Sequence, residues 1–323
     1  AGAEAAAYVN GTRVGLLRGS NTPLVVDITS ALRPGKNEIL ITVRDLLAVM
    51  NQEYVNPAAP VASPQYLDAA AGYESLGRLL LGDVDIEASP VVAAEDLLVT
   101  TSFRKKAFSA AFSVSNHSAK KTRAIVKATV QDARKVVLDL GQQEVEVGVN
   151  QSVPLSFNKP WADPQLWSPA NPYLYVLAVE VTDAATGEKL DLARQRFGFC
   201  ETWIDNASIM LNGGPIKPKA LTTPKPWGAD LDCTLSRGAP IPDWMDENGF
   251  LATAGLAGVA NSSSKHNVDR DQFWESARAN VLAGAKRLQN HPCIIAWDLS
   301  NEWYGFLNYS GKDPLLGAKR LRS

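Results

Sequence analysis

The sequence predicts a multidomain β plus α/β chain: two β domains, then part of a (β/α)8 TIM barrel. Three observations predict it. Short, turn-bounded apolar segments recur from Asp83 to Phe199, as in a β-sandwich. After Phe199 the pattern changes, and Phe273 to Leu288 acquires a helical period. That helix leads into His291-Pro292-Cys293-Ile294-Ile295-Ala296-Trp297-Asp298-Leu299-Ser300-Asn301-Glu302-Trp303. Its apolar stretch, Cys293 to Trp297, reads as a strand buried on both faces, as in a parallel barrel.

The first β segment runs from Tyr8 to Asp45. Tyr8-Val9 ends at the turn pair Asn10-Gly11. Leu24 to Ile28 reads as a second strand, Pro34 to Asn37 as a turn, and Glu38 to Val43 as a third strand. Ala1 to Ala7 is a featureless alanine-rich lead. Leu46 to Leu76 shows no period and reads as a long surface loop.

In the second segment, Asp83 to Glu87, Ala111 to Val114, Ala124 to Val130 and Tyr173 to Val176 are strand candidates. The aromatic residues around Trp167 and Phe197 are assigned to packing rather than chemistry. In the third segment, Asn248-Gly249 suits a helix C-terminus, because both residues tolerate a left-handed backbone. Phe273, Trp274, Ala277, Val281, Leu282, Ala285 and Leu288 fall near one helical face. Leu221 to Pro240 is rich in Pro, Gly and Thr and shows no barrel period.

Composition narrows the function classes. The 323 residues carry a formal net charge of −2 with both signs dispersed. Neither nucleic acid nor an anionic membrane is an expected partner. No apolar run approaches a membrane span. Arg104-Lys105-Lys106 and Lys120-Lys121 read as solvated turns rather than a binding patch. Cys200, Cys233 and Cys293 are odd in number and widely spaced, and three histidines give no ligand spacing. No disulfide framework, metal or cofactor is therefore expected. The compartment stays open, with a periplasmic or secreted location as a guess.

The polar tip of the last strand is the candidate site. Barrel enzymes carry their chemistry at the C-terminal ends of strands. Glu302 can move a proton, Asn301 can hold a sugar hydroxyl, and Trp303 and Tyr304 can stack on a pyranose face. A plainer reading stays open beside it: Asn301 caps a helix and Glu302 is its acidic first-turn residue.

The run resembles the acid/base segment of glycoside hydrolase family 2, the β-galactosidases, β-glucuronidases and β-mannosidases. That segment reads roughly His-Pro-Ser-Ile-Ile, a Trp-containing stretch, then Asn-Glu, and Cys293 stands here where Ser is usual. Other motifs carry the same resemblance: Asn10-Gly11, Asp27-Ile28-Thr29 and Gly35-Lys36-Asn37; Trp167-Ser168-Pro169 with Pro172-Tyr173-Leu174-Tyr175; Arg196-Phe197-Gly198-Phe199; Met210 to Lys217; and Met245 to Leu251. The resemblance implies a partial jelly-roll, sugar-binding-type domain over residues 1–88. An immunoglobulin-like sandwich would follow over 89–200, then a partial catalytic barrel over 201–323.

The resemblance also implies a retaining, exo-acting β-glycosidase and a carbohydrate substrate. Glu302 would be the general acid/base, Asn301 would bind the sugar 2-hydroxyl, and Trp303 would help shape the pocket. Asp298 is expected to be a structural partner at the strand end, and His291 to pack beneath the barrel. The family's nucleophile, a second Glu, has no matching position here. Nor does its Asn-x-x-Arg-x-x-His segment, so the chain reads as incomplete. A complete barrel needs about 200 residues. Two other classes stay open: a non-catalytic carbohydrate-binding module, and a structural component acting through homo-oligomer contacts.

Overall fold

The computed structural model describes residues 4–18, 24–44, 84–133, 135–221, 233–239, 241–259 and 271–300. The Leu46 to Leu76 loop and the residues Asn301, Glu302, Trp303 and Tyr304 lie outside the described residues. The chain divides into two units. One comprises Ala1–Asp85, Gly255–Ala285 and Asp298–Ser323; the other comprises Ile86–Ala254 and Lys286–Trp297.

The first strands are β1 (Glu4–Val9), β2 (Thr12–Arg18) and β3 (Ile39–Arg44), an antiparallel sheet of order β2-β1-β3. Asn10 and Gly11 form the β1–β2 turn with φ of 50° and 83°, the left-handed geometry that a two-residue hairpin demands. The alanine-rich lead is corrected here. Ala5, Ala6 and Ala7 are buried in the central strand, where a side chain of one carbon packs without crowding. The Leu24 to Ile28 strand is also corrected. It runs without secondary structure into a 3₁₀ turn at Thr29–Ala31, and Val25 is 86% exposed. The hairpin partner is β2, which alternation alone did not single out.

Two of the motifs singled out in this segment meet through hydrogen bonds, and the third is braced within itself. Asn10 Nδ2 donates to Asn37 Oδ1 over 2.8 Å and to the carbonyl of Ala31. Asn37 in turn accepts from the Arg33 backbone N–H and donates to the carbonyls of Arg33 and Gly35. The Asp27 carboxylate accepts from the Thr29 N–H. These polar residues hold loops together, which is why they recur at turns.

The next strands are β4 (Val92–Ser102), β5 (Ala107–Asn116), β6 (Thr122–Asp132), β7 (Lys135–Val147), β8 (Gln151–Pro160), β9 (Tyr175–Asp183) and β10 (Lys189–Phe197). They form two antiparallel sheets, β4-β5-β8 and β10-β9-β6-β7. One core lies between them. It joins Val92, Phe108, Phe112 and Val114 of the smaller sheet to Val126, Val130, Val179 and Phe197 of the larger. Alternate residues of β5 are buried, as a strand with one core face requires. Each fully buried large side chain contributes roughly 1.5–3 kcal/mol. Asp83 to Glu87, expected as a strand, is not one over its described part. Residues 84–90 are irregular, and Val84 and Ile86 are 58% and 70% exposed.

The meander β11 (Thr202–Asp205), β12 (Ser208–Leu211) and β13 (Gly214–Ile216) follows, with Asn212-Gly213 turning the second hairpin. A second sheet then has the order β14 (Ala220–Leu221), β15 (Leu235–Arg237), β16 (Leu251–Val259), β17 (Ile294–Ser300). β14, β15 and β16 pair in parallel. Helix α1 (Pro242–Asn248) lies between β15 and β16 in sequence, and α2 (Asp271–Leu288) lies between β16 and β17. Parallel strands separated by helices are the βα pattern expected after Phe199.

Three expectations need correction in this region. β15 falls inside the stretch from Leu221 to Pro240, which carried no barrel period; a three-residue strand is too short to show one. Leu282 is 62% exposed, so the apolar face of α2 is narrower than seven residues suggest. Trp297 is 45% exposed, so β17 is not buried on both faces along its length. β17 ends the strand order of the described sheet, and Cys293, directly before it, is fully buried. Among the described residues, no helix is long and apolar enough to cross a membrane.

Candidate active site

β17 is placed by what precedes it. Helix α2 ends at Leu288, which is buried, and His291 N–H donates to the Leu288 carbonyl. Pro292 then prevents the helix from continuing. Cys293 is fully buried, and its carbonyl accepts from the Ala252 N–H of β16, which aligns the two strands. Small size is what this position selects, consistent with Cys where a Ser was expected.

The start of β17 is held by Asp246, in the last turn of α1. Asp246 is 2% exposed, and its Oδ2 lies 2.6 Å from His291 Nδ1. A carboxylate can only accept, so Nδ1 carries the proton. Oδ1 accepts from the Cys293 N–H over 3.2 Å. The backbone carbonyl of Asp246 accepts from the indole N–H of Trp167 over 2.8 Å. His291 therefore has a buried structural partner. The acceptor was not foreseen, because 45 residues separate the pair and no local pattern links them.

Gly249 ends α1 with φ 67°, the left-handed cap expected at Asn248-Gly249. Space also requires glycine there, since an added Cβ would lie 2.2 Å from the Pro169 carbonyl oxygen. Gly198 is constrained similarly, by Trp167 and Pro292 at 2.7 and 2.8 Å. The Trp-Ser-Pro, Phe-Gly-Phe, Asp-Glu-Asn-Gly and His-Pro segments thus pack on one another. Trp167, Met245, Phe250, Leu251 and Cys293 share one core, while Phe197 and Phe199 belong to the core of the sandwich.

Burial pushes the Cys200 thiol up to about 12, with the carboxylates of Asp246 and Glu201 adding to it. Burial, then Asp246, raises the Cys293 thiol as well. Neither is a nucleophile at neutral pH. Asp243, Asp246 and His291 bring three potential ligand atoms within 4.8 Å of one another, a grouping that sequence spacing did not reveal. Two of them already have strong partners. Arg196 pairs with Asp243 and Glu247, and Asp246 is engaged by His291 and Cys293.

Among the expected site residues, Asp298 sits in β17 and is partly buried. Asn301, Glu302 and Trp303 follow β17 directly in sequence, beyond the described residues.

Known proteins resemble the chain in sequence and in fold. Residues 92–199 match the model for "Glycosyl hydrolases family 2". The chain is 24% identical over 323 residues to the β-galactosidase of Thermoanaerobacter pseudethanolicus, covering 90% of this chain and 40% of that protein. Its fold is similar to that of Bacteroides uniformis β-glucuronidase 2, solved covalently bound to cyclophellitol-6-carboxylate aziridine. The TM-score is 0.72 at 18% identity, covering 94% of this chain and 38% of that one. It is also similar to a family 2 β-galacturonidase from Eisenbergiella tayi bound to galacturonate. There the TM-score is 0.69 at 18% identity, covering 99% and 57%.

By their names these proteins are glycoside hydrolases. Residues 92–199 thus resemble glycoside hydrolase family 2, and the chain as a whole is similar to part of the length of such proteins. It spans about 40% of the curated relative described above.

Proposed function

We propose that the complete protein is a retaining, exo-acting glycoside hydrolase that removes a β-linked terminal sugar. The observation that carries this reading is the segment from His291 onward. It starts β17 after a buried clasp, and in the sequence Asn301 and Glu302 come directly after the strand's last residue, Ser300. Strand ends of this kind hold the chemistry of barrel enzymes. The same proposal takes residues 1–88 as a partial jelly roll, 89–200 as an immunoglobulin-like sandwich and 201–323 as a partial TIM barrel.

Retaining hydrolysis uses two carboxyl groups about 5 Å apart. In this reading Glu302 protonates the departing oxygen and later removes a proton from the attacking water. Asn301 hydrogen-bonds the sugar 2-hydroxyl, and Trp303 forms part of the pocket wall. The 323 residues offer no counterpart to the nucleophile, so the reading assigns one half of the pair.

The test is Glu302→Gln in the full-length protein. Positioned acid/base catalysis contributes about 10²–10⁴-fold. A loss of that size is expected on an unactivated disaccharide. The glycosylation step on activated aryl glycosides should suffer much less, and azide should partly rescue turnover. Wild-type rates on the disaccharide, or an inverted product, would overturn the assignment. A protein inactive on a panel of nitrophenyl glycosides would favour the binding-module alternative.

A further inference from the structure

Asn290, the residue before His291, has its side-chain amide held at both ends. Oδ1 accepts from the Val99 N–H over 2.9 Å, and Nδ2 donates to the Leu97 carbonyl over 2.7 Å. Both partners belong to β4, 191 and 193 positions away in the sequence. β4 stands at the end of the order β4-β5-β8, paired with β5. A carbonyl and an N–H two residues apart are what such a strand offers to a neighbouring strand. Here one asparagine takes both. The β4–β5 register shifts between Glu95 and Leu98, and Asp96 has φ 60°. A bulge of this kind re-aims the groups of the strand that carries it. Two further contacts tie β4 to the same stretch of chain. Lys286, in the last turn of α2, pairs with Asp96 over 2.5 Å. Thr101 donates to the Cys200 carbonyl over 2.6 Å, and the Cys200 thiol lies 3.8 Å from the Pro292 carbonyl. The start of β17 is thus held by two elements: α1 through Asp246, and β4 through Asn290.

We propose that Asn290 is a positioning residue: by locking the chain before β17 to β4, it sets where that strand delivers Glu302. The proposal rests on the reading of Glu302 as the general acid/base. Asn290 precedes the strand and Glu302 follows it, so the asparagine acts through β17 and not on the sugar. β17 is one unbroken strand from Ile294 to Ser300, and a paired strand does not absorb a small shift at its start. A misplacement of about 1 Å at a reacting group costs about 10²-fold in rate. The Lys286–Asp96 pair reaches the same bulge, but both side chains are more than half exposed. An ion pair so placed holds little.

The test is steady-state kinetics of the full-length protein carrying Asn290→Ala, Asn290→Asp, Lys286→Ala or Glu302→Gln. Two substrates are compared, a disaccharide and a dinitrophenyl glycoside of the sugar that a nitrophenyl panel selects. All rates are taken at a temperature where each variant is fully folded. A displaced acid matters most where the leaving group needs a proton. In Asn290→Ala, kcat/KM should therefore fall about tenfold or more further on the disaccharide than on the dinitrophenyl glycoside. Asn290→Asp keeps the acceptor for Val99 and should lose less. Lys286→Ala should keep wild-type rates. Equal losses on the two substrates in Asn290→Ala would mean general loosening and overturn the positioning role, as would wild-type rates on both. If Asn290→Ala does not fold, the same comparison is read from Asn290→Asp. Glu302→Gln separates the two ideas. If it is impaired on the disaccharide while the Asn290 variants are not, the positioning role fails alone. If it keeps wild-type rates, the acid/base reading fails and takes the positioning role with it.

Discussion

Trp167 donates its indole N–H to the backbone carbonyl of Asp246, and both residues are almost fully buried. One residue therefore ties the Trp-Ser-Pro segment to α1, and its carboxylate ties α1 to the start of β17. Asp246→Ala strips the acceptor from two donors, the partly buried His291 Nδ1 and the buried Cys293 N–H. A loss of about 2–4 kcal/mol is expected, read from the urea midpoint at constant slope. Asp246→Asn keeps an oxygen for one donor and should lose less. Equal losses in the two variants would show that the charge, not the hydrogen bonding, holds the strand.

Gly249 and Gly35 separate backbone freedom from space. Both have positive φ, but an added Cβ meets nothing within 4 Å at Gly35 and the Pro169 carbonyl at Gly249. Gly35→Ala should cost about 1 kcal/mol, the ordinary penalty for a left-handed alanine. Gly249→Ala should cost about 2–4 kcal/mol, because backbone must move as well. Chemical denaturation of the two single variants distinguishes them; equal costs would mean that the contact with Pro169 relaxes freely.

Tyr173 carries a pH signature. Its phenol donates to the Asp132 carboxylate, and that hydrogen bond, with burial and the negative charge, raises its pKa from 10.0 to about 12. The folded state then holds the proton more tightly than the unfolded state. The stability this provides is complete below pH 10 and is lost as pH rises from about 10 to about 12. Ultraviolet titration should show a late-ionising tyrosine that is absent in Tyr173→Phe. The variant should also lose less stability across that window. An unchanged titration would remove Asp132 as the cause.

The thiols give a direct test of the core. Cys200 and Cys293 are held protonated by burial, so Ellman's reagent should label neither at pH 8 in the folded protein. In a Cys233→Ser background, two thiols should react after denaturation and none before. Rapid native labelling would mean that the region around Asp246 opens readily.

Turns and caps were legible because they depend on one or two residues. Asn10-Gly11 and Asn248-Gly249 ended elements where expected, since few residues accept positive φ. Helix α2 was legible from its period over five turns. Leu24 to Ile28 and Asp83 to Glu87 misled for the opposite reason. Both have strand composition, and whether such a segment finds a partner depends on distant chain. Ala5 to Ala7 misled in the other direction, because alanine shows no β preference until neighbours cover it.

The sequence by itself determined the local chemistry: where turns fall, which run carries the Asn-Glu pair, and that Pro292 separates α2 from β17. Those features act through residues a few positions apart, so order along the chain suffices. Only the tertiary structure decided that Asp246 receives His291 and Cys293, that Trp167 reaches the Asp246 carbonyl, and that Cys293 is covered where Trp297 is open. Each of these is a contact between residues some 45 or more positions apart, or the lack of cover from one. Such contacts are set by which surfaces meet once apolar area is buried, and no local pattern encodes that meeting.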